Sequence, residues 1–132
     1  MPQETYFISE LSEELGIQPS AIRYYEQKGL IKPDRTPGNQ RVYTRHHRAR
    51  LKLILRGKRF GATLEQIGEM IGMSDRPMNE KKQIDKSLWY IERTMEDVLK
   101  QKHDLDLFEA DLLALKRKLA RRRRELDRCH RI

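Results

Sequence analysis

ISELSEELGIQPSAIRYYEQKGL, residues Ile8 to Leu30, is the stretch on which the fold turns. Ile8, Leu11 and Leu15 recur at spacings of three and four, which places them on one helical face, and Gly16 follows as a terminator. Gln18-Pro19 restarts the chain. Proline suits a first helical position, whose N–H has no intrahelical partner, and Gly29 suits a C-terminal cap, so a second helix is expected over about Pro19 to Lys28. Two short helices joined by a tight turn result. On the second, Ala21, Ile22 and Tyr25 can face the first helix, while Ser20, Arg23, Tyr24 and Gln27 share another face.

That second face is suited to a nucleic acid. Arginine can read guanine bidentately or hold phosphate, glutamine can read adenine, and Ser or Tyr hydroxyls can bond phosphate oxygens. The plain alternative is a solvated basic face on an ordinary helix pair. The surroundings favour the first reading: from Arg23 to Arg59 there are twelve Lys or Arg and only two acids, Glu26 and Asp34. Such an excess concentrates phosphate and binds it by releasing counterions. Charge is uneven elsewhere too, with −4 over residues 1–22, −5 over 60–115 and +7 over 116–132, within a total of +8.

Downstream, Pro37-Gly38-Asn39 is a turn, Gln40 to Tyr43 has strand character, and Leu30-Ile31-Lys32 is expected to pair with it as a hairpin, making a small wing. Thr44 can cap a third helix carrying Leu51, Ile54 and Leu55, which Gly61 stops. Thr63 and Gln66 have capping-box spacing ahead of Leu64, Ile67, Met70 and Ile71 on a fourth helix. Residues 1–73 are therefore expected to form one small domain, with a linker at 74–79 containing Ser74, Asp75 and Pro77.

Beyond the linker, Ile84, Ile91, Val98, Leu105, Leu112, Leu119 and Leu126 recur every seven residues, and no Gly or Pro interrupts Asn79 to Ile132. A strict seven-residue apolar period signals a coiled coil, so 80–132 is expected to be one long helix that needs a second chain to cover its stripe. Leu88 and Met95 follow the first row by four residues, Phe108 and Leu115 by three. The register slips near Leu99 to Asp104, either as a stammer or as a break between two helices; the absence of breakers favours the stammer.

Other classes find little support. Cys129 is the sole cysteine, His46, His47, His103 and His130 are scattered, and no spacing matches a zinc site or a nucleophile with its base. No enzyme activity, metal or cofactor is expected. The chain has no apolar run long enough to span a bilayer and no signal-peptide pattern, so a cytoplasmic location is the default.

Several of these segments, in this order, resemble the mercury-resistance-regulator (MerR) family of bacterial transcription factors, over about residues 6–73. Ile8 to Leu30 is similar to the family's first helix, turn and recognition helix, QRVY (Gln40 to Tyr43) to its wing, and RARLKLILRGKRFGATLEQIGEMI (Arg48 to Ile71) to its second helix pair. The resemblance implies an all-α, winged helix-turn-helix head followed by a long helix that dimerises as an antiparallel coiled coil. It implies DNA contacts from Ser20, Arg23, Tyr24 and Tyr25 on the recognition helix, from Arg41 and Tyr43 on the wing, and from Lys58. The partners implied are promoter DNA, a second copy and RNA polymerase: family members bind pseudo-palindromic promoter sites and bend and untwist them, re-aligning promoter elements for polymerase. One departure is Asn39-Gln40, where the family commonly has Gly-Tyr; asparagine tolerates the left-handed turn that glycine would make.

The family's metal and oxidant sensors carry cysteines at the start of the long helix, and Ile84 to Ile91 has none. Its drug sensors append a separate domain, which is not expected here. Trp89 and Tyr90 lie beside the apolar stripe and admit two readings, packing against a DNA-binding lobe or lining an effector pocket. The basic end from Lys116 to Arg131 is either a solvated helix terminus matched to its own dipole or an auxiliary DNA contact. Two rivals to a transcriptional regulator remain: an architectural or excisionase-like DNA-bending protein, and a coiled-coil adaptor whose basic tail touches acidic lipids.

Overall fold

A computed structural model describes residues 4–73 and 81–130. The elements run β1 (Thr5–Tyr6), α1 (Ile8–Leu15), α2 (Pro19–Gln27), β2 (Asp34–Arg35), β3 (Arg41–Thr44), α3 (Arg45–Arg59), α4 (Leu64–Ile71) and α5 (Lys81–Cys129). The chain divides into a unit ending at Ile91 and a second from Glu92 onward.

Local signals set the helix ends. Gly16 closes α1 in the left-handed conformation (φ 66°), and Pro19 opens α2 at its first turn. At Thr44 the hydroxyl accepts from the His47 N–H, and the His47 ring Nδ1 accepts from the Thr44 N–H at 2.9 Å. Histidine thus takes the place that Glu or Gln usually holds in a capping box. The expected box at Thr63 forms with Gln66 in both directions, at 3.1 and 2.9 Å.

Leu11, Ile22, Tyr25, Leu30, Ile31, Tyr43, Leu51, Ile54 and Ile67 make the core of the first unit. The three-stranded antiparallel sheet has the order β1-β3-β2 and differs from the expected wing. Asp34 and Arg35, not Leu30 to Lys32, pair with β3. The reason is burial: Leu30 and Ile31 are consecutive and both about 1% exposed, whereas a strand would send them to opposite faces. They plug the core instead. The turn between β2 and β3 is held by Thr36, whose N–H donates to the Gln40 carbonyl (2.9 Å) and whose hydroxyl accepts from the Gln40 N–H (3.0 Å). Asn39 there adopts φ 63°, the left-handed role expected of it.

Arg50 is the structural residue that the basic block conceals. Its Nε and Nη2 donate to the Leu30 carbonyl at 2.9 and 2.7 Å, Nη1 to that of Ile71 at 3.0 Å, and Nη2 to that of Gly72 at 2.6 Å. One guanidinium therefore fastens α3 to the segment after α2 and to the carboxyl end of α4, whose last carbonyls lack helical partners. Burial pulls its pKa below the ordinary arginine value. At the start of α5, Ser87 donates to the Glu69 carbonyl (2.8 Å) and Lys86 pairs with the Glu69 carboxylate (3.1 Å).

The expected linker at 74–79 lies outside the described residues. Helix α5 is continuous through Leu99 to Asp104, so the register slip occurs within a helix rather than at a break. In the second unit Val98, Leu105, Phe108, Leu112, Leu115, Leu119 and Leu126 are all at least 42% exposed in the single chain. That is the condition of a seam awaiting a partner helix.

Candidate nucleic-acid interface

Helix α2 sorts its side chains as its period requires. Ile22 is fully buried and Tyr25 is 6% exposed, while Ser20, Arg23, Tyr24 and Gln27 are exposed on the opposite arc. The Tyr24 ring stands at the surface with the Lys28 ammonium 5.5 Å from its centroid. Arg23, Tyr24, Gln27 and Lys28 thus make a row of guanidinium, phenol, amide and ammonium groups, the chemistry that base edges and phosphates require. Tyr25 packs inward, with the Lys58 ammonium 5.9 Å from its ring centroid. What remains of its expected contact is confined to a small exposed rim. Lys58 itself is exposed, on the last turn of α3.

The wing is locked to α2. Arg41 Nε donates to the Glu26 carboxylate at 2.7 Å, and Arg35 approaches the same group at 3.5 Å. Arg35 Nη1 also donates to the Asn39 carbonyl at 3.1 Å, bracing the turn at the tip. Arg41 is therefore half-buried in an ion pair, and Glu26, an acid in an otherwise basic region, orients both wing arginines.

Tyr43 corrects the expectation. It is 0% exposed, its ring meets His47 edge-on at 6.1 Å, and its hydroxyl has no hydrogen-bond partner among the described residues. It cannot touch DNA from there. Side chains alternate along a strand, so Tyr43 shares the face of Arg41 that turns toward α2; the long arginine emerges at the edge while the tyrosine fills the core. Burial pushes the phenol pKa up.

Other cations of the basic block are also committed. Arg48 forms a bidentate pair with Glu14 of α1, which holds that carboxyl below its ordinary pKa, and Arg50 is spent on backbone carbonyls. The exposed cations left for a polyanion include Arg23, Lys28, Lys32, Arg45, Arg56, Lys58 and Arg59.

Trp89 is about half exposed and meets Tyr90 edge-to-face, with centroids 4.9 Å apart. Neither lines the cavity of about 490 Å³ in this unit, which is bounded instead by Tyr24, Lys28, Leu64, Gly68, Gln83 and Ser87, among others. Among the described residues, no three of His, Cys, Asp and Glu come together as metal ligands, and no helix is long and apolar enough to cross a membrane.

A family model described as MerR HTH family regulatory protein matches residues 6–73, and one described as MerR, DNA binding, matches 48–115. The chain belongs to the MerR family. It is a DNA-binding transcriptional regulator of that family. It is 36% identical over 110 residues to the mercuric resistance operon regulatory protein of Bacillus cereus, covering 83% of this chain and 81% of the relative. It is 32% identical over 112 residues to the HTH-type transcriptional regulator CueR of Salmonella typhimurium, covering 82% and 77%. Among solved structures, HiNmlR, a MerR family regulator lacking the sensor domain and bound to promoter DNA, superposes with a TM-score of 0.64 at 23% identity, over 79% of this chain and 77% of that one. A MerR family transcriptional regulator from Bacillus thuringiensis gives 0.65 at 24%, over 89% and 98%. At those identities the likeness speaks to the fold.

Proposed function

We propose that this MerR-family chain binds a pseudo-palindromic promoter site as a homodimer and controls transcription by distorting the DNA between its two heads, in the cytoplasm at the nucleoid. Arg23, Tyr24 and Gln27 read the groove, Ser20 and Lys58 hold phosphate, and Arg41, oriented by Glu26, grips the backbone beside the wing. The observation that carries this reading is the exposed row on α2 braced by the Glu26–Arg41 pair. The heptad stripe supports the dimer, since it leaves an apolar seam that only another helix of similar pattern would cover.

Distortion is favoured over simple docking because members of the family to which the chain belongs bend and untwist the promoter sites they bind. Bending or untwisting the untouched centre then contributes sequence selectivity through deformability. RNA polymerase is the implied beneficiary of the re-aligned promoter. Genome-wide occupancy followed by footprinting tests the proposal: it should return an inverted repeat with hyper-reactive central base pairs. Binding without a symmetric site, or without any change in transcript level on deletion, would favour the architectural alternative.

A further inference from the structure

We propose that Arg117, Arg121, Arg124 and Arg128 form a second nucleic-acid contact, a row of guanidinium groups that binds the phosphate backbone of duplex DNA irrespective of sequence. The row lies on α5, far along the chain from the recognition helix, and its case is independent of the head.

The spacing is the first observation. These residues follow one another at four, three and four positions, so on a helix of 3.6 residues per turn all four fall within an arc of about 60°. The apolar row of this segment, Leu112, Leu115, Leu119 and Leu126, is centred on the other side, roughly 180° away. A helix partner seated on the leucines therefore leaves the arginines open to solvent.

The second observation is that the charge is uncommitted. All four are exposed, and among the described residues no ion pair engages them; the neighbouring Glu125 is taken by Arg122 at 3.2 Å. Of the four, only Arg128 stands in the last turn of α5, where a cation suits the helix dipole.

Its chemistry selects the partner. Every member is arginine, whose planar fork suits phosphate oxygens, although Lys116 and Lys118 sit beside the row. Eleven residues rise about 16 Å along the helix, and phosphates of one strand recur about every 3.4 Å along the duplex axis, so the row matches a run of about five phosphates. An acidic membrane is a poorer fit, because a helix lying on lipid buries its apolar face there, and here that face is the coiled-coil seam.

The test uses the full chain and a random-sequence DNA duplex, with binding followed by fluorescence anisotropy over a salt series. Replacing all four arginines with glutamine should make the slope of log K against log salt shallower by about three to four for each row engaged on the duplex, at about 0.9 per phosphate released. A control carrying Lys116→Gln, Lys118→Gln, Arg122→Gln and Arg123→Gln loses the same formal charge off the row and should change the slope by less than about one. Sedimentation should show both variants assembling as the unsubstituted chain does. If the fourfold variant fails to fold, Arg121→Gln with Arg124→Gln should still lower the slope by about two. An unchanged slope in the row variants, or an equal fall in row and control variants, overturns the proposal. So does tighter binding of the unsubstituted chain to phosphatidylserine–phosphatidylcholine vesicles than to the duplex at the same salt.

Discussion

Glu26 of the recognition helix and Arg41 of the wing are joined by a 2.7 Å charged hydrogen bond, with side chains only 22% and 31% exposed. Helix α2 and the wing, which the proposed function brings to one duplex together, are thereby fixed against each other. The pair costs the DNA face a positive charge and returns a defined wing angle.

Glu26→Ala should therefore separate affinity from selectivity. Removing the acid frees Arg35 and Arg41 to approach phosphate, so binding to random duplex should hold or tighten. Binding to the cognate promoter should weaken by roughly 1 kcal/mol, the scale of a partly exposed pair, and the ratio of the two affinities should fall about fivefold. Paired titrations measure it; an unchanged ratio would mean that the pair does not set the wing.

Tyr43→Phe should leave DNA affinity unaltered and leave stability equal or slightly raised, because the hydroxyl removed is buried without a hydrogen-bond partner among the described residues. A loss of promoter binding with intact thermal unfolding would restore Tyr43 to the DNA surface.

Arg50→Ala should destabilise the chain by about 2–3 kcal/mol, since a charged donor to three carbonyls is lost and those carbonyls are left partly unsatisfied. Arg50→Lys should recover only part of this, because an ammonium cannot reproduce the planar fork. Urea unfolding at fixed protein concentration distinguishes them; equal stability of both variants would exclude the clasp.

His47 makes stability depend on pH. Burial is the main cause that lowers its pKa from the ordinary 6.5, with His46 and Arg50 acting in the same direction and Asp34 and the Lys32 backbone opposing. The unfolded chain then binds the proton more readily than the folded one. Stability should be complete above about pH 6.5 and decline as the pH falls through the lower folded value. Protonating Nδ1 also removes the acceptor for the Thr44 N–H, a cap contribution of about 1 kcal/mol. His47→Gln keeps an acceptor and cannot titrate, so its unfolding free energy should fall less between pH 7.5 and 5. An identical decline in both proteins would acquit His47.

What the sequence disclosed and concealed follows from the range of each signal. The helices were legible because Gly16, Pro19, Thr44 and Thr63 act within a turn of their own positions and because apolar period is local. The wing was misplaced by a few residues because two-residue strands such as β1 and β2 have no period to detect. The contact that the resemblance implies for Tyr43 does not fit its burial, because a likeness of sequence does not say which side chain of a strand turns inward. Arg50 was hidden among eleven other cations of the block, yet a signal existed: it stands one residue before Leu51 and four before Ile54, on the core-facing side of α3. The Glu26–Arg41 pair spans 15 positions between elements with no fixed spacing, and required the fold itself.

The role of Arg23 is the centre of the functional reading, and it can be measured directly. Once the cognate promoter fragment is known, Arg23→Ala should bind it about 5- to 150-fold more weakly, corresponding to roughly 1–3 kcal/mol for a base-reading arginine, and should tolerate substitution at the base pair that Arg23 contacts. Its thermal unfolding should match that of the unsubstituted chain, because Arg23 is exposed. Equal affinity of the two proteins for that fragment, in a titration at one fixed salt concentration, would contradict the assignment of α2 as the reading helix.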